Sequence, residues 1–152
     1  NDLREKVVDE LEREIGNDLK AYPEECKLLT WEMVREMKKK GIGFGSHTSN
    51  HVVLTREEES VLRAEIIDSK TELEQQIKGK VVSFAYPNGE YTPEIREIAD
   101  QAGYKIAVTT KNKLNRPGAD PLTLGRTCLC EESTRGIAGT FSPRVANLRL
   151  GV

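Results

Sequence analysis

The sequence predicts an α/β fold in which helices pack against a mostly parallel sheet. Two observations support this prediction. Apolar residues recur at helical spacing in several segments, and most of these segments end at a glycine before a short β-branched or aromatic run. This unit of helix, glycine, strand and loop then repeats, and strands joined through helices pair in parallel. We count roughly four strands where a closed α/β barrel needs about eight, so we expect an open sheet or strands that precede this sequence.

The first two predicted helices are marked by apolar spacing and by their end residues. Residues 2–15 carry an apolar side chain every three or four positions, which is typical of an amphipathic helix. Thr30 can cap a second helix, whose apolar stripe contains Trp31 and Val34. The lysines at 38–40 suit its last turn, because the helix dipole favours positive charge there.

A short strand and a long helix follow. Residues 42–45 are predicted as a strand, and the Thr-Arg-Glu-Glu sequence at 55–58 matches a capping box. The helix that this box begins is predicted to end at Gly79. Its buried face is predicted from helical spacing and consists of Leu62, Ile66, Ser69, Leu73 and Ile77.

The second half of the chain repeats this pattern. Residues 81–86 are rich in β-branched and aromatic side chains, which predicts a strand, and the Pro-Asn-Gly sequence at 87–89 forms the loop after it. Thr92 and Pro93 are typical of a helix start, and Gly103 is typical of a helix end. The remaining predicted elements are a strand at 104–109, a polar loop at 111–121, a last strand at 122–129 and a weakly helical segment at 133–147.

Both histidines of the chain, His47 and His51, lie in one loop after the predicted strand at 42–45. Neutral imidazole is the commonest protein metal ligand, and two imidazoles at this spacing can bind one cation. The carboxyl ends of parallel strands share one edge of a sheet, where α/β proteins bind ligands, so the pair should lie beside the 87–89 loop and Thr109. We therefore predict a metal site, and two surface histidines in a polar loop are the alternative.

A catalytic zinc site needs a third protein ligand beside the two histidines. Glu57 and Glu58 are the nearest carboxylates that follow them, but both also suit the start of a helix. The sequence therefore leaves the third ligand open.

Length and composition limit the possible functions. At 152 residues the chain can form a single domain, 1–152, with its own core. A net charge of −2 gives no electrostatic reason to bind nucleic acid or an anionic membrane. No apolar run approaches the roughly 20 residues of a transmembrane helix. The chain does not begin with Met and carries no recognisable signal peptide, so we expect a processed chain or a fragment whose compartment stays unknown.

The three cysteines are Cys26, Cys128 and Cys130. Their odd number and the lack of a Cys-x-x-Cys pair speak against a disulfide framework and against a cysteine zinc site. We expect Cys128 and Cys130 to pack as small apolar residues.

Three stretches of the sequence resemble the polysaccharide deacetylase family, whose domain is also called the NodB homology domain. Residues 29–37, followed by the His-Thr-Ser-Asn-His sequence at 47–51, resemble the helix and the H-[ST]-x-x-H zinc motif of this family. Phe-Ala-Tyr-Pro-Asn-Gly at 84–89 resembles its R-x-P-[YF]-G loop, with alanine where arginine is usual. Ala-Gly-Tyr at 102–104 resembles the strand entry that follows.

This resemblance implies a deformed (β/α) barrel, incomplete at its N-terminus here, and metal-dependent hydrolysis of N-acetyl groups on a polysaccharide. In the family, a zinc ion held by Asp-His-His polarises the amide carbonyl and activates a water, and a second Asp is the general base. His47 and His51 would be the zinc ligands, and the backbone N–H of Asn88 would contact the oxyanion. The partner would be an N-acetylated polysaccharide or oligosaccharide, and family members often act at the bacterial cell envelope.

Other side chains are candidates for contacts with a sugar. Tyr86, Pro87 and Tyr91 surround the 87–89 loop, and core packing is the alternative for Tyr86. Arg126 lies where the family has a late Leu-x-His motif. Arginine could bind a developing charge, but it stays protonated near neutral pH and cannot replace histidine as an acid. A buried ion pair is the alternative role for Arg126.

Two family motifs have no match in this sequence. The first, Thr-Phe-Asp-Asp-Gly, supplies the base and the third zinc ligand, and the other is Asp-x-x-Asp-Trp. We therefore expect little activity from this chain by itself, and a non-catalytic carbohydrate-binding or structural relative is the alternative to an enzyme. An open sheet would also leave unpaired edges, which predicts a homo-oligomer, and a clean monomer in size exclusion would count against this.

Overall fold

The computed structural model describes residues 6, 7, 9, 10, 13, 28–128, 130, 134–136 and 140–150. Residues 1–34 and 35–152 form two compact units. In the first unit, the helix predicted at 2–15 is helical at each of its described residues. Cys26 and Leu129 lie outside the described residues.

Helix α1 spans Trp31–Lys39 and begins at the predicted cap, because Met33 N–H donates to Thr30 Oγ1 at 3.3 Å. Val34 is buried but Trp31 is exposed, so the predicted apolar stripe is only partly covered. At the other end of α1, the Lys38 ammonium donates to the carbonyl of Ile77 at 2.7 Å. Lysine in the last turn therefore links α1 to the end of the next helix.

Parallel strand pairing is present, as predicted. Strand β1 (Ser83–Ala85) pairs with strand β2 (Ile106–Val108), with Phe84 opposite Ala107. Both strands are shorter than predicted but lie inside the predicted ranges. The long crossover between them contains a helix, as a parallel connection requires.

Two further segments extend this sheet through single bridges. Ser46 pairs in parallel with Phe84 on one side, and Leu124 pairs in parallel with Val108 on the other. The predicted strands at 42–45 and 122–129 are wrong in extent. The first is replaced by a single paired residue just after it, Ser46, and the second by a single paired residue within it, Leu124. Glycines beside both bridges lower the tendency to form a strand there.

A long helix leads from the histidine loop towards β1. Helix α2 (Glu59–Arg63), a π-helical segment (Ala64–Asp68) and helix α3 (Ser69–Ile77) follow one another directly. The predicted capping box is wrong, because Thr55 lies in a 3₁₀ turn and the helix starts after Glu58, whose side chain makes no cap. Four of the five residues on the predicted buried face are buried, namely Leu62, Ile66, Ser69 and Ile77. The fifth, Leu73, is half-buried.

Helix α4 (Pro93–Gln101) starts and ends as predicted. Ile95 N–H donates to Thr92 Oγ1 at 3.4 Å, and Gly103 follows the helix with a left-handed φ of 84°. The core lies between the sheet and the helices. Its largest fully buried side chains include Tyr86, Tyr104, Phe84, Leu54, Ile66, Ile95 and Val81.

The C-terminal part is more open. Helix α5 spans Pro143–Leu150, later than the predicted 133–147. Cys128 and Cys130 are exposed, so their predicted apolar packing is wrong. The last parallel bridge among the described residues is at Leu124, four positions before Cys128. None of the helices in the described part of the chain has the length and apolarity that crossing a bilayer requires.

Candidate metal centre

The position of His47 is fixed by the sheet edge. Its neighbour Ser46 exchanges backbone hydrogen bonds with the Ser83 carbonyl and the Ala85 N–H, at 3.0 and 2.9 Å. His47 Nδ1 then lies 2.7 Å from the carbonyl oxygen of Ala85. A carbonyl can only accept, so Nδ1 carries the proton, and in the neutral ring Nε2 is then the nitrogen with a free lone pair. A metal-binding histidine typically has this arrangement, since the second hydrogen bond sets its tautomer and ring orientation.

His51 lies beside His47. The two ring centroids are 4.8 Å apart and the ring planes are nearly perpendicular, at 83°. Both side chains are exposed, and His51 N–H donates to Thr48 Oγ1 at 3.0 Å. The rings are thus close enough to contact the same cation. The ring of His47 lies next to Ala85, which leads directly into the Pro87 loop.

The loop between the histidines is held by a carboxylate that we did not predict, Glu65 of the π-helical segment. Its Oε2 accepts hydrogen bonds from Ser49 N–H and Asn50 N–H, both at 2.9 Å, and its Oε1 accepts from Asn50 Nδ2 at 2.6 Å. Burial alone would raise the pKa of Glu65, but these hydrogen bonds outweigh it and hold the pKa below its usual range. Glu65 is therefore ionised at neutral pH.

The sequence did contain a signal for Glu65. It lies three residues after Leu62 and next to Ile66, on the face of the helix that apolar spacing predicts to be buried. A carboxylate on such a face needs a partner, because burying an unpaired charge is costly.

The Pro87 loop forms a tight turn at the end of β1, closed by a hydrogen bond from Gly89 N–H to the Tyr86 carbonyl at 2.9 Å. Asn88 has a left-handed φ of 56°, and its carbonyl accepts a hydrogen bond from Thr110 Oγ1 at 3.0 Å. Gly89 is also left-handed, and a Cβ there would overlap the backbone nitrogen and hydroxyl of Thr110. The turn is thus packed closely against the end of β2, which fixes the direction of the Asn88 backbone.

The aromatic residues beside this turn have different surroundings. Tyr86 is fully buried, and its hydroxyl donates to the Leu122 carbonyl at 3.0 Å. Burial also raises the pKa of Tyr86. The side chain of Pro87 is buried too. The predicted contacts of a sugar with Tyr86 and with Pro87 are therefore wrong, since both side chains are buried and neither is accessible to a ligand. Tyr91 is half-buried, stacks on Tyr86 and lies 5.6 Å from the Lys111 ammonium.

Arg126 lies at the same edge of the sheet. Its Nε donates to the carbonyl of Thr109, the residue after β2, at 2.9 Å, and its side chain is exposed. The alternative of a buried ion pair is therefore wrong. The sequence correctly predicted that the histidine loop, the Pro87 loop and Thr109 follow neighbouring strands.

The third ligand is not found among the residues that the structure describes. No group of three or more histidine, cysteine or acidic side chains forms within that set. Glu58 precedes α2 on the exposed surface, and Glu57 closes the 3₁₀ turn before it, so neither joins the histidines. Two imidazoles alone are fewer than the three protein ligands of a catalytic zinc.

Comparison with known proteins identifies the family. Residues 10–107 match the family model for polysaccharide deacetylases, which is more than half of the chain. The chain belongs to the polysaccharide deacetylase family. This confirms the resemblance of the three sequence stretches. Among curated proteins, YxkH of Bacillus subtilis is named for the same family and is 33% identical to this polysaccharide deacetylase chain over 91 residues. The aligned region covers 60% of this chain and 31% of YxkH.

Solved structures resemble the chain as well. The Streptococcus pyogenes deacetylase PplD, solved in complex with acetate, is 31% identical with a TM-score of 0.63, over 76% of this chain and 47% of PplD. IcaB from Ammonifex degensii is 29% identical with a TM-score of 0.63, over 70% of this chain and 50% of IcaB. The chain thus spans half or less of each of these relatives.

Proposed function

We propose that this chain is the histidine-bearing part of a metal-dependent deacetylase that removes N-acetyl groups from a polysaccharide. Membership of the family supports the reaction class. The observation that carries the proposal is the hydrogen bond of His47: its Nδ1–H donates to the Ala85 carbonyl at 2.7 Å, so in the neutral ring Nε2 is free to bind a cation beside the ring of His51.

The residues present fit a divalent cation, for which we propose zinc. His47 and His51 would hold it, and a further ligand would come from outside the described residues, since a catalytic zinc takes three protein ligands. When bound, zinc supplies a Lewis acid and lowers the pKa of a bound water towards neutrality. The PplD complex with acetate is consistent with this chemistry, because acetate is the acid that deacetylation releases.

The neighbouring residues suit the binding of an acetamide group. We propose that Asn88 N–H stabilises the negative charge that develops on the amide oxygen, because its turn is rigidly held by Thr110. Tyr91, half-buried beside this turn, would contact the sugar, and Arg126 would interact with charge that develops at the same edge. Asn88 and Tyr91 follow β1, and Arg126 contacts Thr109, the residue after β2.

We also propose that the described elements are one sector of a deformed (β/α) barrel. Four parallel segments lie side by side, and the solved relatives of this fold extend well beyond the part that the chain covers. Self-association of the chain stays a prediction.

Acetate release by the intact gene product tests the proposal. Substrates are N-acetylglucosamine oligomers, and the variants are His47→Ala, His51→Ala and, as a control, the exposed helix position Gln75→Ala. We expect both histidine variants to lose activity by at least about a hundredfold, since each removes a metal ligand, and the control to keep it. Equal acetate release by wild type and His47→Ala would contradict the proposal. Sugar binding without any acetate release by the wild type would favour the non-catalytic relative instead.

A further inference from the structure

Glu65 is a charged residue in the protein interior, with only 5% of its surface exposed. Its carboxylate accepts three N–H groups, and all three come from Ser49 and Asn50, the residues between the two histidines. The hydrogen bonds use both carboxylate oxygens, so the side chain is held at two points. Glu65 therefore fixes the middle of the histidine loop through two backbone N–H groups and the Asn50 side chain.

The histidine loop has a backbone that needs such support. Thr48 has a φ of 67° and His51 a φ of 53°, in the left-handed region that residues other than glycine rarely adopt. Such conformations persist where the surroundings impose them. The two strained residues lie on either side of Ser49 and Asn50, which are the residues that Glu65 binds.

The helix that carries Glu65 is itself held in register. The π-helical segment contains Ile66, whose carbonyl accepts hydrogen bonds from Tyr104 Oη at 3.0 Å and Ser69 Oγ at 3.4 Å. Ser69 Oγ also lies 2.7 Å from Ser46 Oγ, the residue before His47. The wider π turn is thus bonded to the core and to the start of the histidine loop, which aims Glu65 at the loop.

We propose that Glu65 is a positioning residue for the metal site: its carboxylate sets the backbone between His47 and His51 so that both imidazoles face one divalent cation. This inference rests on the proposed function, because it needs the histidines to be metal ligands. It adds a residue that lies 14 positions beyond His51 and outside the H-x-x-x-H motif.

The test compares Glu65→Gln with Glu72→Gln, the same change at an exposed position of α3. Zinc affinity is measured by competition with a chromophoric chelator, and amide hydrogen exchange at Ser49 and Asn50 is followed by NMR without metal. Glutamine would replace one carboxylate oxygen by an NH₂ group, which cannot accept a hydrogen bond from the N–H groups of Ser49 and Asn50. We therefore expect Glu65→Gln to weaken zinc binding by ten- to a hundredfold and to accelerate exchange at both amides, with Glu72→Gln unchanged.

A second variant keeps the test decisive if Glu65→Gln fails to fold. Asn50→Ala removes one of the three hydrogen bonds from an exposed side chain, and we expect a smaller loss of zinc affinity in a folded protein. Equal zinc affinity in Glu65→Gln and Glu72→Gln would overturn the role of Glu65 and leave the proposed function untouched. If Glu65→Gln does not fold, equal zinc affinity in Asn50→Ala and wild type would have the same meaning. A wild type that binds no zinc would contradict the proposed function, and unchanged exchange at Ser49 and Asn50 would then also remove the positioning role of Glu65.

Discussion

Arg96 and Asp120 form a two-point ion pair between α4 and the segment that leads to Leu124. Arg96 Nε donates to Asp120 Oδ2 at 3.0 Å and Nη2 donates to Oδ1 at 3.2 Å. Asp120 Oδ1 also accepts Leu122 N–H at 3.0 Å. The hydrogen bonds from Arg96, together with that from Leu122, hold the pKa of Asp120 below its usual value of 3.8.

We expect Asp120→Asn to remove part of the acid sensitivity of the fold. A carboxylate whose pKa is lowered by folding stabilises the folded state above its unfolded pKa, and this stabilisation is lost as pH falls through the folded pKa. Wild type should therefore be more stable than Asp120→Asn at pH 7, and the difference should shrink below about pH 4.

Urea unfolding of both proteins at pH 7 and at pH 3 measures this difference. Arg96 also contacts Glu97 and Asp100, and Tyr86 lies near Asp120, so none of these residues is an independent control. The exposed Asp68, which is not one of these partners, gives the control Asp68→Asn for general loss of negative charge. A stability gap between wild type and Asp120→Asn that is the same at both pH values would contradict this assignment.

Individual residues differ in how well the sequence predicted them. His47 and His51 could be predicted as a pair because their chemistry and spacing are local. Tyr86 could not be assigned, since an aromatic residue at a strand end suits both core and surface, and its burial depends on contacts with Leu122 across the sheet. Glu65 was missed because its partners belong to a different element, and only the folded π turn brings them together.

At the scale of the elements, Thr55 and Thr92 show how alike two cap sequences can be. Thr92 accepts a hydrogen bond from Ile95 N–H at the start of α4, as a capping threonine does. Thr55 instead lies in a 3₁₀ turn and donates to Glu90 Oε2 at 3.2 Å on the surface. The two threonines therefore form a natural pair for comparison.

We expect Thr92→Ala to lower the free energy of unfolding by about 1 kcal/mol, since one N-terminal amide of α4 loses its partner. Thr55→Ala should change the free energy of unfolding by less than about 0.5 kcal/mol, because it removes one exposed hydrogen bond. Thermal or urea unfolding of the two variants provides the comparison. A loss for Thr55→Ala as large as that for Thr92→Ala would show that the two side chains contribute alike.

Helix ends and strand order were predictable from local sequence, whereas strand lengths were not. Thr30, Thr92 and Gly103 mark their helix ends by backbone chemistry that depends on a few neighbouring residues. Pairing of a strand depends on its neighbours in space. Leu124 keeps one bridge to Val108 because Pro121 and Gly125 on either side do not favour an extended ladder.

At the scale of the whole molecule, parallel pairing explains why the candidate site lies where it does. Ser46, β1, β2 and Leu124 run side by side in one direction, so the segments that follow them reach the same edge of the sheet. The histidine loop, the Pro87 turn and Thr109 therefore converge although they are distant in sequence. Connectivity predicted this convergence, but it could not supply the third ligand.

If His47 and His51 hold a divalent cation, the metal content of the protein depends on both side chains. The purified chain is equilibrated with zinc and dialysed, and bound zinc is measured by atomic emission in wild type, His47→Ala and the control Gln75→Ala. We expect bound zinc in wild type and in the control, and its loss in His47→Ala. Equal zinc in wild type and His47→Ala would contradict this expectation.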